Sequence, residues 1–154
     1  MAFYTFKRGT VVMVDFPPQV GSEIKGNHFA IVLTKRDRNS NELLTVIPLT
    51  SKHHKYHLDL GDEIKKTIFT RLNVANNINY VTENIMLQNE VIMRYTSLKK
   101  HTYAKVHQIT TISKYRIVKP INQLDPIRKL TVSNEVMDKI EDKIKELFFK
   151  VYID

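Results

Sequence analysis

Two short stretches in the first third of this chain gather groups that transfer protons or bind anions. The first is a polar loop bracketed by two of the four glycines, Gly21 and Gly26. It carries Ser22, Glu23, Lys25 and Asn27 and empties into His28. Glycine permits positive φ and close approach of another backbone. An imidazole titrates near neutrality, with an ordinary pKa of about 6.5, which suits general acid–base work. The second stretch is "PLTSKHHKYH", Pro48 to His57. Thr50 and Ser51 can donate hydrogen bonds to a phosphate or cap their own backbone. Lys52, His53, His54 and His57 add positive charge or imidazole. Each stretch alone fits a plainer reading better: a long loop needs glycines, and a histidine can simply be exposed. The group His53, His54, His57 lacks the His-Glu-x-x-His pattern of a helical zinc site, so no metal is expected and contact with an anionic polymer is the preferred role.

These residues need strands to position them. "TVVMVDF" (Thr10–Phe16), "HFAIVLT" (His28–Thr34) and "LLTVIPLT" (Leu43–Thr50) are apolar, β-branched and bounded by turn formers. Consecutive strands with short links predict an antiparallel meander. In such a meander the start of the second strand lies beside the end of the third, which makes His28 and Thr50 neighbours. Pro48 predicts a strand end, a bulge or an edge. Thr67–Leu72 reads as a strand, Asn76–Asn77 as a turn, and Asn84–Arg94 fits either type. Thr102–Ile112 alternates as a strand does. Ser133 is an N-cap for a helix with Glu135 in its first turn, and Val136, Ile140, Ile144, Leu147, Phe148 and Val151 form its apolar stripe. The expected class is α+β: a strongly bent antiparallel sheet or small SH3-like barrel with a C-terminal amphipathic helix.

Bulk properties bound the function. The 154 residues suit a single domain spanning 1–154. No cysteine is present, which excludes disulfides and thiolate metal sites. No signal peptide and no membrane span is legible, so a cytoplasmic protein is expected. Lys and Arg number 24 against 16 Asp and Glu, a net charge of +8, with a pI near 9.6. That excess attracts polyanions and puts nucleic acid first among partners. Tyr56, Tyr80, Tyr95, Tyr103 and Tyr115 lie near basic residues, where they can stack bases or pack in the core.

Three motifs in order give a resemblance. Gly21, Glu23 and Gly26, then Thr50 and Ser51 after an apolar strand, then Gln108, Ile109, Thr111 and Arg116 within "AKVHQITTISKYRI" are similar to the MazF/PemK (Kid-type) toxins. Two family positions differ: the Arg-Pro after the glycine loop is His28–Phe29 here, and the arginine after Gln-Ile is Thr110. The interval from Ser51 to Thr102 is longer than in the family, so an insertion around 60–100 is expected.

The resemblance implies the MazF/CcdB-like fold and a sequence-selective, metal-independent endoribonuclease that needs no cofactor. It would act on single-stranded RNA through the substrate's own 2′-OH, leaving a 2′,3′-cyclic phosphate and a 5′-OH. A cognate antitoxin and a homodimer are implied as partners. Carried onto this chain, the catalytic positions are His28, Thr50 and His107. His28 stands for the family arginine, and His107 is a second proton-transfer group. RNA-binding positions are Glu23, Lys25, Ser51, Lys52, His53, Gln108 and Arg116. The alternative is a non-catalytic binding protein for nucleic acid or gyrase on the same scaffold, as in the related poison CcdB.

Overall fold

The computed structural model describes residues 3–18, 21, 24–77, 101–120 and 127–149. The three predicted strands form. They are β1 (Val11–Phe16), β2 (Gly26–Val32) and β3 (Leu43–Thr50), joined as an antiparallel meander. β2 begins two residues before His28, because Gly26 pairs with Phe16 and Asn27 with Asp15. Gly26 has a φ of +77°, a conformation that favours glycine, where the loop turns into the strand.

Two-residue strands β4 (Leu58–Asp59) and β5 (Tyr103–Ala104) pair with each other, and β5 pairs with the end of β3. β6 (Thr110–Ser113) pairs with the start of β3, and β7 (Ile117–Lys119) with β1. The result is a seven-stranded sheet that runs β4-β5-β3-β2-β1-β7, with β6 also on β3. One edge of β3 therefore serves two partners: β6 along Leu43–Val46 and β5 along Leu49–Thr50. Pro48 sits at this change of partner. It has no N–H to donate to a ladder, and its carbonyl accepts from the Lys105 N–H at 2.8 Å. The alternation read over Thr102–Ile112 is in fact broken, with a 3-10 turn at Val106–Gln108 separating β5 from β6.

Both sheet faces are buried. Val11, Met13, Phe29, Ile31, Ile47 and Leu49 share one core with residues of two helices, α1 (Glu63–Asn77) and α2 (Asn134–Phe148). Val12, Val14, Ala30, Val32 and Val46 share the other with Ile24 and Ile112. α2 starts as predicted: Ser133 Oγ accepts from the Val136 N–H at 3.2 Å. Its stripe is shorter than predicted, since Phe148 is exposed, and Val151 lies outside the described residues.

Thr67–Leu72 is helix, not strand, and Asn76–Asn77 is its last turn rather than a free turn. Ile64 and Ile68, four apart, are both buried and set the helical period. The threonines that suggested a strand turn their hydroxyls back to the helix: Thr67 donates to the Glu63 carbonyl and Thr70 to the Lys66 carbonyl, each at 2.9 Å. Asn84–Arg94 falls outside the described residues. The chain leaves the sheet at Leu60–Gly61 and returns beside that point, with Leu60 N–H to Thr102 O at 2.8 Å and Thr102 N–H to Gly61 O at 2.9 Å.

Candidate nucleic-acid interface

The sheet register builds a row of side chains. The β2–β3 ladder ends with Ala30 opposite Pro48, so His28 and Thr50 each lie two residues past that last pair, and the His28 imidazole reaches the Leu49 backbone. Thr50 faces Tyr103 across the next ladder, and Tyr103 faces Asp59 across the last. Directly opposed residues in an antiparallel sheet share a face, with strands about 4.8 Å apart. Thr50, Tyr103 and Asp59 thus cross three strands in one line, with His28 on β2 beside the end of β3. The strand neighbourhood expected for His28 and Thr50 is present.

His28 is half-buried, 6.3 Å from the Phe16 ring, and its Nε2–H donates to the Lys25 carbonyl at 2.8 Å. Burial pushes its pKa below the ordinary value. Lys105 repels its cationic form further, while backbone contacts with Lys25 and Leu49 oppose the shift. The imidazole is therefore biased toward its basic, neutral form. Thr50 Oγ1 accepts from the Lys52 N–H at 3.2 Å, an arrangement that leaves its O–H to donate elsewhere. Ser51 is half-buried beside it, and Lys25, Lys52 and His53 are exposed.

A second layer forms where Lys52–His57 turns over the 3-10 turn. The His57 N–H donates to the His54 carbonyl at 3.0 Å, and His57 Nδ1–H donates to the Lys52 carbonyl at 2.8 Å. This turn lays His54 and His57 against His107, with ring centroids 5.9 and 5.3 Å away and planes 16° and 26° apart. Tyr56 is 5.7 Å from the same ring. Gln108 ties the layer to the glycine loop. Its Oε1 accepts from the Ile24 N–H at 2.8 Å, which leaves its amide N to face His107 Nε2 at 3.3 Å. With Nε2 an acceptor, the His107 proton sits on Nδ1, which is buried and has no hydrogen-bond partner among the described residues. Burial, then His57, His54 and Lys105, hold His107 below its ordinary pKa. His57 is lowered by burial and then by Lys105 and its histidine neighbours.

Lys105 links the two layers. Its charge acts on His28, His57 and His107 alike, and its own pKa is lowered by burial and by Lys52. Sequence reasoning passed over it. The available signal was that Lys105 is the one lysine or arginine in Thr102–Ile112, three residues before Gln108. Arg116 is not brought to this cluster: it is exposed, on the β7 side of β1, and its Nη1 donates to the Asp15 carbonyl at 3.4 Å. Glu23 lies outside the described residues. Among the described residues no three His, Asp or Glu side chains are placed to hold a metal ion; the three imidazoles stack rather than converge. No described helix is long and apolar enough to cross a membrane.

The arrangement offers a neutral imidazole, a free hydroxyl donor and a partly desolvated ammonium at one sheet end. Together they can accept a proton, grip an anionic oxygen and neutralise developing negative charge.

Comparison with known proteins agrees in family and fold. The family model of the PemK-like, MazF-like toxins of type II toxin–antitoxin systems matches residues 7–148. Among solved structures, MazF (Form-I) from Deinococcus radiodurans is similar in fold at a TM-score of 0.53. Sequence identity is 16%, over 94% of this chain and 97% of that one. Comparison with curated protein sequences finds no match. This chain belongs to the PemK-like, MazF-like toxin family.

Proposed function

We propose that this member of a toxin family is a sequence-selective endoribonuclease that cuts single-stranded RNA by attack of the 2′-OH on the adjacent phosphorus. The observation that carries this reading is the His28 imidazole against the Leu49 backbone, one residue before Thr50, with Lys105 acting on the same imidazole. His28 takes the 2′-OH proton as the new O–P bond forms. Thr50 O–H and the Lys105 ammonium stabilise the phosphorane. The bond from phosphorus to the 5′-oxygen then breaks, and Lys105 supplies the proton that makes the 5′-OH. His107, with Nδ1 buried and Nε2 facing Gln108, would support this site from behind rather than donate to these oxygens. The other product is the 2′,3′-cyclic phosphate. Proton transfer and charge neutralisation are both provided by side chains, which supports metal-independent chemistry.

Lys25, Ser51 and Lys52 would track the RNA backbone, His53 would contact the RNA beside them, Gln108 would hold the glycine loop in place for it, and Arg116 would extend the basic surface beyond β1. Glu23 keeps its family assignment as a contact of the loop. A cognate antitoxin, a homodimer and a cytoplasmic site of action follow from the family. The segment between Gly61 and Thr102 is proposed as an insertion, because the chain leaves and re-enters the sheet at one point.

The test is incubation of purified protein with long single-stranded RNA in EDTA, with cut positions and end groups mapped. Discrete cuts with 2′,3′-cyclic phosphate ends, lost in His28→Ala, are expected. RNA bound but uncut would make the chain a non-catalytic binding protein on this scaffold, the reading in which exchange of arginine for His28 removed the chemistry.

A further inference from the structure

The Asp59 end of the row is not used by this mechanism, yet it is built. His101 Nδ1–H donates to Asp59 at 3.0 Å, and the Gly61 N–H donates to Asp59 Oδ1 at 2.7 Å. Both contacts fix the plane of the imidazole. The His101 ring lies 6.4 Å from Tyr103 at an interplanar angle of 31°. His53 meets Tyr103 edge-on at 5.6 Å and 86°. Three rings therefore cluster on Tyr103, one strand from Thr50. The His101 and Asp59 side chains keep 44% and 49% of their surface open, so the pair is not sealed into the core as a structural ion pair would be.

The charges along the row orient a ligand. Lys105 and Lys52 lie toward the Thr50 end. Asp59 stands at the other end, with its carboxyl held below the usual range, first by the Gly61 N–H and then by His101. A phosphate is drawn to the lysines and repelled by the carboxylate. A base carries no such charge, and its π-face suits a phenol and two imidazoles.

Resting on the ribonuclease reading above, we propose that Tyr103, His53 and the Asp59-oriented His101 form a stacking subsite for one nucleobase next to the scissile phosphate. The subsite sets part of the enzyme's sequence preference. Asp59 is a positioning residue: it fixes the His101 ring that the base meets.

The experiment compares wild type with Tyr103→Ala, Tyr103→Phe and His53→Ala. Cut sites in a long RNA are mapped, and kcat and KM are measured on a short oligoribonucleotide containing the preferred cut. Binding is followed with the same oligomer carrying 2-aminopurine beside a 2′-deoxy sugar that blocks cleavage. Loss of one stacking contact is expected to weaken binding about 5- to 150-fold for Tyr103→Ala. Base preference should broaden at one position beside the cut, and the 2-aminopurine quench should disappear. Tyr103→Phe keeps the ring and restores the quench. His53→Ala alters an exposed residue, so it reports even where Tyr103→Ala fails to fold; a smaller loss with the same broadened position is expected. Wild-type cutting with unchanged preference and KM in both His53→Ala and folded Tyr103→Ala overturns the subsite and leaves the ribonuclease intact. If wild type does not cut at all, the ribonuclease reading fails separately. The quench is then read on a short 2-aminopurine RNA: dependence on Tyr103 supports the subsite, and independence from it overturns the subsite.

Discussion

Replacing Thr50 by valine tests the phosphate site with little disturbance of the fold. The position is half-buried at the last residue of β3, and valine keeps the β-branched shape that a strand accommodates. What valine lacks is the hydroxyl. In the folded protein that oxygen accepts one exposed hydrogen bond, from the Lys52 N–H at 3.2 Å. Its loss costs about 0.5–1.5 kcal/mol of stability at most, because the freed N–H can turn to water. The catalytic cost is larger. A donor aimed at the oxygens of the transition state is typically worth ~2.7–4 kcal/mol, or about 10²- to 10³-fold in kcat. The two effects are thus separable. Thr50→Val should melt within a few degrees of wild type and yet cut RNA about 100-fold slower or worse under single-turnover conditions in EDTA, with a smaller change in KM. Thr50→Ser returns the donor and should recover most of the rate. A valine variant that cuts at the wild-type rate would place the phosphate away from the end of β3 and refute the site as drawn.

Four further outcomes are expected. His28→Ala should abolish cleavage and leave the melting curve close to wild type; full activity would remove His28 from the mechanism. The pH–rate profile should rise below pH 6.5, through the lowered pKa of His28, and fall on the alkaline side as Lys105 loses its proton; a profile with no alkaline fall would remove Lys105 as the acid. Stability should drop as pH falls from 6.5, because His28, His57 and His107 all have folded-state pKa values below the unfolded one, so the unfolded chain binds protons first. Urea midpoints that rise on acidification over that range would contradict the buried cluster. Lys114→Met strands Asp37, since the two are paired at 2.8 Å with side chains 3% and 0% exposed; about 3–5 kcal/mol should be lost in urea unfolding, and a loss under 1 kcal/mol would mean the pair is open to water.

The legible parts of the fold were those where local pattern and tertiary environment agree. β3 was read to the residue because its apolar run is bounded by polar turns and both its faces are buried. Ser133 was read as a cap because capping is local chemistry. The failures have equally local causes. Thr67 and Thr70 look β-branched in a list of propensities, but in α1 each hydroxyl bonds one turn back, and the decisive signal was the four-residue spacing of Ile64 and Ile68. The break at Val106–Gln108 follows from β3 changing partners at Pro48, a tertiary event that the local alternation of Thr102–Ile112 does not encode. At the site, the approach of His28 to Thr50 was legible because it needs only strand order. The stack of His54 and His57 on His107 was not, since it depends on how the turn after β3 folds across a segment some fifty residues later.

Lys105 shows how the charge lost at one strand can be supplied by another. The family resemblance puts an arginine where this chain has His28, and an imidazole held neutral by burial cannot replace a fixed cation. The register offers a substitute. The Lys105 N–H is bonded to the carbonyl of Pro48, two residues before Thr50, so the backbone that carries the ammonium is fixed to the strand that carries the hydroxyl. The lysine approaches from the β5 side while His28 approaches from β2. On the proposed reading, base and cation are then divided between two side chains that flank Thr50. The mutual repulsion that lowers the pKa of His28 is a consequence of that division: the cation placed for the phosphorane also keeps the imidazole ready to accept a proton. Lys105→Met should therefore slow cleavage and, in an NMR titration, move the His28 pKa upward. A His28 pKa that stays put would show that the two groups do not share a site.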